Sequence, residues 1–275
     1  MQHITVAFIL SAPRSGSTWL NSVLGSTSWA ANVGEFKRAY TTPEGFACRM
    51  CAAKGLPECA APGDMRGIDR WEAYQFIAAR LRRPVVIDAS KSVEWCAEFL
   101  GHPEIDVRII HLVRHPCGFV ASEHRRFRHL SYAALLLRWE TTNTAIEKFS
   151  AECGAPYHLV SYDDLADDPS HHMPGVCRFL GHSWESAALE YWNCDHHGFG
   201  ANGASSLYLR GLPNAKFLAA DDAYCDTLTS RPISADRRWK NQLPPEFCAD
   251  ALSHPYTLAI GARLGRPWDA LTATP

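Results

Sequence analysis

Ser11-Ala-Pro-Arg-Ser-Gly-Ser-Thr18 follows the apolar run Ile4–Leu10 and leads into Trp19-Leu-Asn. A buried strand that turns through small residues into a helix aims backbone N–H groups and a helix N-terminus at one spot, where an anion is held. A nucleotide triphosphatase loop would read G-x-x-x-x-G-K-[ST], its lysine reaching the β- and γ-phosphates. Here Ser11 stands at the first glycine, Ser17 stands at the lysine, and Arg14 is the loop's cation. The loop is built for an anion but lacks the part that manages a γ-phosphate.

Two further groups could join that chemistry. Arg114 follows the β-branched run Val107–Val113 and opens His-Pro-Cys-Gly-Phe-Val-Ala-Ser122. In a parallel sheet, ligands bind beyond the carboxyl ends of the strands, so Arg114 is expected at the same edge as Arg14. Ser122 would share an anion with Arg114 only if the chain folds back between them. Asp236-Arg-Arg-Trp-Lys-Asn241 is a basic run that gains meaning only if it folds onto the same pocket. Asp88 and Lys91 follow the strand pattern Val85–Asp88, with a structural ion pair between them as the alternative to a catalytic lysine. Glu35 follows the short segment Ala31–Gly34, and its alternative is pairing with Lys37, Arg38 or Arg14.

The elements that position these groups alternate strand and helix. Strand patterns at Ile4–Leu10, Ala31–Gly34, Val85–Asp88, Val107–Val113 and Tyr157–Ser161 are separated by helical stretches near 18–25, 71–81, 94–100, 118–127 and 132–152, with another near 173–180. That order predicts an α/β fold, a single P-loop-like domain with a central parallel sheet flanked by helices. One domain spans 1–275, and the aperiodic segments 40–67 and 193–234 are expected acceptor-site or lid insertions. Trp192, Tyr208 and Tyr224 could stack on a ring there, or equally fill the core.

Composition bounds the function. At 275 residues, 47% hydrophobic and 20% charged, the chain can form a complete α/β core. A net charge of −2 lacks the basic excess of a nucleic-acid binder. No apolar run reaches membrane-spanning length, and Met1-Gln-His enters the first strand directly, so a cytoplasmic location is expected. Ten cysteines, several isolated among apolar neighbours, suit reduced thiols. Cys48-Arg-Met-Cys51 followed by Cys59 leaves three alternatives: free thiols, a metal site completed by a residue such as Cys96, or a disulfide. Among the histidines, His111 lies in a buried-strand pattern and is expected to be a satisfied core residue. His171-His172 and His196-His197 are rivals to Glu35 as a base.

Taken together, Pro13-Arg-Ser-Gly-Ser-Thr-Trp-Leu20, Val86-Ile-Asp-Ala-Ser-Lys91, Leu112–Ser122, Ser161-Tyr-Asp-Asp-Leu165, Arg178-Phe-Leu-Gly181 and Arg238-Trp-Lys-Asn-Gln-Leu243 resemble a sulfotransferase that uses 3′-phosphoadenosine 5′-phosphosulfate. The markers stand in the family's order and are most similar to the bacterial and carbohydrate-type branch, which carries arginine in the first loop. The resemblance implies that Arg14, Ser15, Gly16, Ser17, Thr18 and Trp19 hold the 5′-phosphosulfate. Arg114 and Ser122 would hold the 3′-phosphate, with Arg237, Arg238, Trp239 and Lys240 closing over it, and Tyr162 would pack near the adenine. It also implies Glu35 as the base, with Lys91 and Arg14 as catalytic cations. Two departures stand out: His115 replaces the usual aspartate after the arginine, and Cys117 replaces a common arginine. The D-H-x-x-Y-W context of the histidine base in cytosolic relatives is missing.

Sulfuryl transfer, like phosphoryl transfer, rests on positioning and charge stabilisation. The transferred group carries less charge than a γ-phosphate, so no metal is required in principle and none is assigned to the site. The expected activity moves a sulfuryl group to a hydroxyl of a small-molecule, glycolipid or carbohydrate acceptor, with 3′-phosphoadenosine 5′-phosphate as product. Two alternatives are a P-loop kinase of small metabolites and a catalytically inactive nucleotide-binding relative.

Overall fold

Apolar runs with little alternation bury both faces of a strand, which requires helices on both sides of the sheet. Among the described residues, five such strands form: β1 (Ile4–Leu10), β2 (Ala30–Gly34), β3 (Val85–Asp88), β4 (Ile105–Val113) and β5 (Tyr157–Ser161). All pair in parallel, in the order β2-β3-β1-β4-β5. The computed structural model of the chain describes residues 3–41, 48, 50–51, 59, 65, 67–199, 233–265 and 268. Expectations placed on 40–67 and 193–234, including Tyr208 and Tyr224, fall largely outside these residues. Among the described residues, no helix is long and apolar enough to cross a membrane.

The register puts the strand ends on one edge. Phe8 lies beside Asp88, Asp88 beside Gly34, Leu10 beside His111, and Val113 beside Ser161. The chain first winds from β1 to β2 and β3 on one flank, then crosses to β4 and β5 on the other. That reversal falls at the carboxyl end of β1, the usual ligand position in an open α/β sheet.

The helices are α1 (Ser17–Gly25), α2 (Lys37–Thr41), α3 (Arg70–Leu81), α4 (Val93–Ala97), α5 (Pro116–Arg126) and α6 (Tyr132–Cys153). After β5 come α7 (Tyr162–Asp167) and α8 (Pro169–Phe179), a 3-10 segment over Ser186–Asn193, then α9 (Trp239–Gln242), α10 (Pro245–Ser253) and α11 (Pro255–Arg263). Several begin earlier than their apolar pattern suggests, because capping and not hydrophobicity sets their start. Helix α8 starts at Pro169 and not near 173, since Asp168 accepts from the His171 N–H at 3.1 Å and proline suits the first helical position. Helix α4 ends at Ala97, short of the expected Leu100.

Two cores hold the layers. Phe8, Tyr74, Trp95 and Phe99 pack as an aromatic cluster, with ring centroids 5.0 Å apart for Tyr74–Phe99 and for Trp95–Phe99. The second joins Val113, Phe119, Leu135 and Trp139 to Trp239, Leu252 and Ile260. This second core carries the C-terminal segment back to the end of β4.

Candidate active site

Five of the candidate residues follow strand ends closely. Arg14 lies in the turn after β1, Glu35 immediately after β2, Lys91 after β3, Arg114 immediately after β4, and Tyr162 immediately after β5. Among the described residues, three non-glycine residues have positive φ: Arg14 (62°), Arg82 (54°) and Lys91 (58°). Arg82 is a helix C-cap, a routine place for that conformation. Arg14 and Lys91 have no such excuse. A left-handed side-chain-bearing residue costs about 1–2 kcal/mol and persists only where its surroundings fix it.

The loop after β1 closes on itself through the neighbouring elements. Gly16, at φ 89°, precedes the first turn of α1, whose N-terminus has no side-chain cap and no acidic residue. The Tyr162 ring packs directly on Gly16, so close that a Cβ there would lie 2.1 Å from Cδ2. Trp19 meets the Tyr162 ring edge-on at 6.2 Å, and the Arg114 guanidinium lies 5.4 Å from its centroid. Arg114 Nη1 donates to the Arg14 carbonyl at 2.8 Å, and Arg14 Nε donates to Ser122 Oγ at 2.7 Å. The chain does fold back, but Ser122 meets Arg14 rather than Arg114.

Several polar groups at this loop are buried with nothing among the described residues to satisfy them. Ser11 Oγ, Ser15 Oγ, Trp19 Nε1 and Arg114 Nε have no hydrogen-bond partner among the described residues. Leaving buried polar groups unpaired costs about 1–3 kcal/mol each. Such a cluster beside two arginines and an uncapped helix N-terminus fits an anionic ligand.

The basic run at the C-terminus folds onto this site, through a residue the sequence did not single out. The Asp236 carboxylate accepts from Arg114 Nη2 at 3.1 Å and from Arg238 Nε at 2.7 Å, and Arg125 Nη2 lies 3.8 Å away. Burial works to raise the Asp236 carboxyl, but the Arg238 hydrogen bonds and the Arg114 charge outweigh it and hold the group below the usual carboxylate range. Arg237 turns aside to an ion pair with Asp167. Trp239 stacks on His115 with centroids 4.4 Å apart. Lys240 lies in the first turn of α9.

His115 takes over a helix-capping task. Its Nδ1 accepts from the Cys117 N–H at 3.2 Å, and Pro116 occupies the first turn. The His115 N–H donates to buried Asp163 at 2.7 Å, and the Trp139 indole donates to the Arg114 carbonyl at 3.0 Å. Burial raises Asp163 to about 6 against the lowering effect of Arg114 and of that backbone bond. The turn that departs from the family pattern is therefore anchored from three sides. Cys117 is fully buried.

On the other flank, Lys91 Nζ donates to Glu35 Oε1 at 2.6 Å and to the Ala89 carbonyl at 2.9 Å. Arg38 lies 3.6 Å from Glu35 Oε2, so one of the expected partners of Glu35 is present. The alternative pairing of Asp88 with Lys91 is not what forms. Asp88 is fully buried and accepts from the Tyr74 hydroxyl, from Trp95 Nε1 at 3.1 Å and from the Ser90 N–H at 2.6 Å. It fixes the loop that carries Lys91 instead of neutralising it.

The histidines separate cleanly. His111 is a satisfied core residue, bonded to the Tyr157 hydroxyl at 2.8 Å and to Asn143 Oδ1 at 3.0 Å, and burial lowers it to about 4. His196 is buried against Asn32, with Nδ1 to Nδ2 3.1 Å, and His197 lies beside Cys51 and Cys59. His171 is exposed on α8. Cys96 is buried on α4, away from the other thiols of its expected metal set.

A model of the sulfotransferase family matches residues 95–186, the stretch containing β4, Arg114, Ser122, β5 and Tyr162. Among solved structures, the chain resembles a sulfotransferase domain from the curacin biosynthetic pathway, at 21% identity and TM-score 0.62 over 97% of this chain and 99% of that one. It also resembles the sulfotransferase domain of the Synechococcus PCC 7002 olefin synthase, at 22% identity and TM-score 0.51 over 91% and 94% of the two chains. At such identities the likeness is one of fold: the parallel P-loop-like α/β architecture is that of sulfotransferase domains. The motif resemblance to the sulfotransferase family is thereby supported. A search of curated proteins finds no match.

Proposed function

We propose that the chain is a sulfotransferase, a single catalytic domain that takes 3′-phosphoadenosine 5′-phosphosulfate as donor. The observation that carries this reading is the set of buried donors (Ser11, Ser15 and Arg114 Nε) without partners among the described residues, around a helix N-terminus with no side-chain cap beside Arg14. Ser15 to Trp19 and Arg14 hold the 5′ end of the donor in this reading. Arg114 with Ser122 and the segment from Arg238 to Lys240 serve its 3′-phosphate, and Tyr162 serves the adenine. The donor, when bound, supplies the transferable sulfuryl group.

Glu35 removes the proton of the acceptor hydroxyl as its oxygen bonds to sulfur. A carboxylate offers about four acceptor positions, so its contact with Lys91 leaves room for that hydroxyl. Lys91 and Arg14 stand at adjacent strand ends and meet the charge that builds on the departing phosphate oxygen. The acceptor class is a small-molecule, glycolipid or carbohydrate hydroxyl, with the segments 40–67 and 193–234 proposed to line its pocket.

Glu35→Gln is expected to lower kcat by about 100-fold or more, because general-base catalysis contributes 10²–10⁴ while the amide oxygen can still accept from Lys91. Lys91→Ala should lower kcat comparably. The assay is transfer from radiolabelled donor over a panel of hydroxyl acceptors. If neither variant changes turnover, the site assignment is wrong.

A further inference from the structure

Away from the anion-binding loop, four ligand-type side chains converge from two separate segments. Cys48, Cys51 and Cys59 come from one segment and His197 from the other, and their ligand atoms all lie within 4.8 Å of one another. Cys59 Sγ is 3.1 Å and Cys51 Sγ 3.6 Å from His197 Nδ1. For a tetrahedral zinc with Zn–S near 2.3 Å and Zn–N near 2.0 Å, the ligand atoms stand about 3.5–3.8 Å apart. The cluster therefore needs shifts of only a few tenths of an ångström at these two pairs to close on an ion.

We propose that Cys48, Cys51, Cys59 and His197 form a structural zinc site. Three soft thiolates and an imidazole are a zinc-type donor set, and four protein ligands leave no open position for catalysis. His197 would bind through Nδ1 and keep its proton on Nε2, which faces the Asp195 carboxylate at 3.7 Å. A carboxylate behind a ligating histidine is the usual outer-shell partner that fixes its ring. On binding, three Zn–S bonds replace three S–H bonds and the protons pass to solvent, with no change of oxidation state. The fourth ligand is thus a histidine distant in sequence, not Cys96.

The site has a mechanical place in the fold. Phe199, two residues past His197, bridges to both Gly34 and Cys48, and its N–H donates to the Val33 carbonyl at 2.9 Å. Strand β2 is the edge of the sheet, and Glu35 follows it immediately. Zinc would clip the cysteine segment and the His197 segment to that edge, beside the proposed base. The proposal does not depend on the sulfuryl-transfer reading, because its test reads metal and not activity.

The test uses the full chain, purified under reduction without chelator, then stripped and refilled with Co²⁺. Expected are one zinc per chain on metal analysis and, with Co²⁺, tetrahedral visible bands with a thiolate charge-transfer band in the near ultraviolet. Cys59→Ser and His197→Ala should lose the metal, and Cys96→Ala should keep it. Should the variants fail to fold, the wild-type cobalt spectrum decides alone. An octahedral or thiolate-free spectrum, no uptake of either ion, uptake unchanged in both ligand variants, or a disulfide among the three cysteines in anaerobically isolated protein would each overturn the proposal.

Discussion

Gly16→Ala tests how the loop after β1 is built. The substitution carries two separable penalties. At φ 89° an alanine is strained by about 1–2 kcal/mol. Its Cβ would also lie 2.1 and 2.4 Å from Cδ2 and Cε2 of Tyr162, a ring only 4% exposed and flanked by Trp19 and Arg114. Relieving that overlap costs a further ~1–3 kcal/mol by displacing ring or loop. The total expected from urea denaturation is about 2–5 kcal/mol. A double-mutant cycle with Tyr162→Ala divides it: the overlap vanishes in the double variant while the backbone strain stays, giving a coupling of about 1–3 kcal/mol. Affinity for 3′-phosphoadenosine 5′-phosphate should fall by at least ~10-fold in Gly16→Ala, because the displaced loop no longer aims its N–H groups at one point. A cost for Gly16→Ala below about 1 kcal/mol, or effects that add to within about 0.5 kcal/mol, would refute the packing argument.

Two further outcomes follow from the charges around Arg114. Asp236→Asn leaves Arg114, Arg125 and Arg238 facing one another, and scanning calorimetry should show a loss of about 2–4 kcal/mol. The bisphosphate should then raise the melting temperature of this variant more than that of the wild type, since the ligand replaces the missing negative charge; equal shifts would contradict this. Asp163 has its folded pKa raised to about 6, so its burial weighs on the native state once it ionises. Asp163→Asn should therefore gain stability over the wild type at pH 7–8, by up to about 3 kcal/mol, and that gain should vanish below about pH 4. Denaturation curves across that range check it, and a gain that stays constant at low pH would exclude the assignment.

Much of the architecture is legible in the residues. All five strands announce themselves as short apolar or β-branched runs, and their alternation with helices leaves a parallel sheet as the natural arrangement. Placing Arg14, Glu35, Lys91, Arg114 and Tyr162 at one edge follows from that arrangement alone. The helix Tyr162–Asp167 was hidden, because six residues with three acids show no apolar face; the Ser161 hydroxyl, accepting from the Asp164 N–H at 3.2 Å, starts it. Asp236 was read only as the head of a basic run. Its meeting with Arg114 joins positions 122 apart and depends on Trp239 reaching His115 through the second core. The approach of His197 to Cys59 is likewise long-range and is set by Phe199 on the sheet edge. His115 shows the reverse case: an apparent defect in the motif proves to be a working helix cap.

The central claim is that the loop Ser11–Thr18, with Arg14 and Arg114, is shaped for a phosphosulfate nucleotide and not for a triphosphate. Titration calorimetry with 3′-phosphoadenosine 5′-phosphate, set against ATP with Mg²⁺, tests it most directly. The predicted result is tight, saturable binding of the bisphosphate, weakened when Arg114 is replaced by alanine, with ATP–Mg²⁺ bound poorly. Tight ATP–Mg²⁺ binding with no response to the bisphosphate would contradict it.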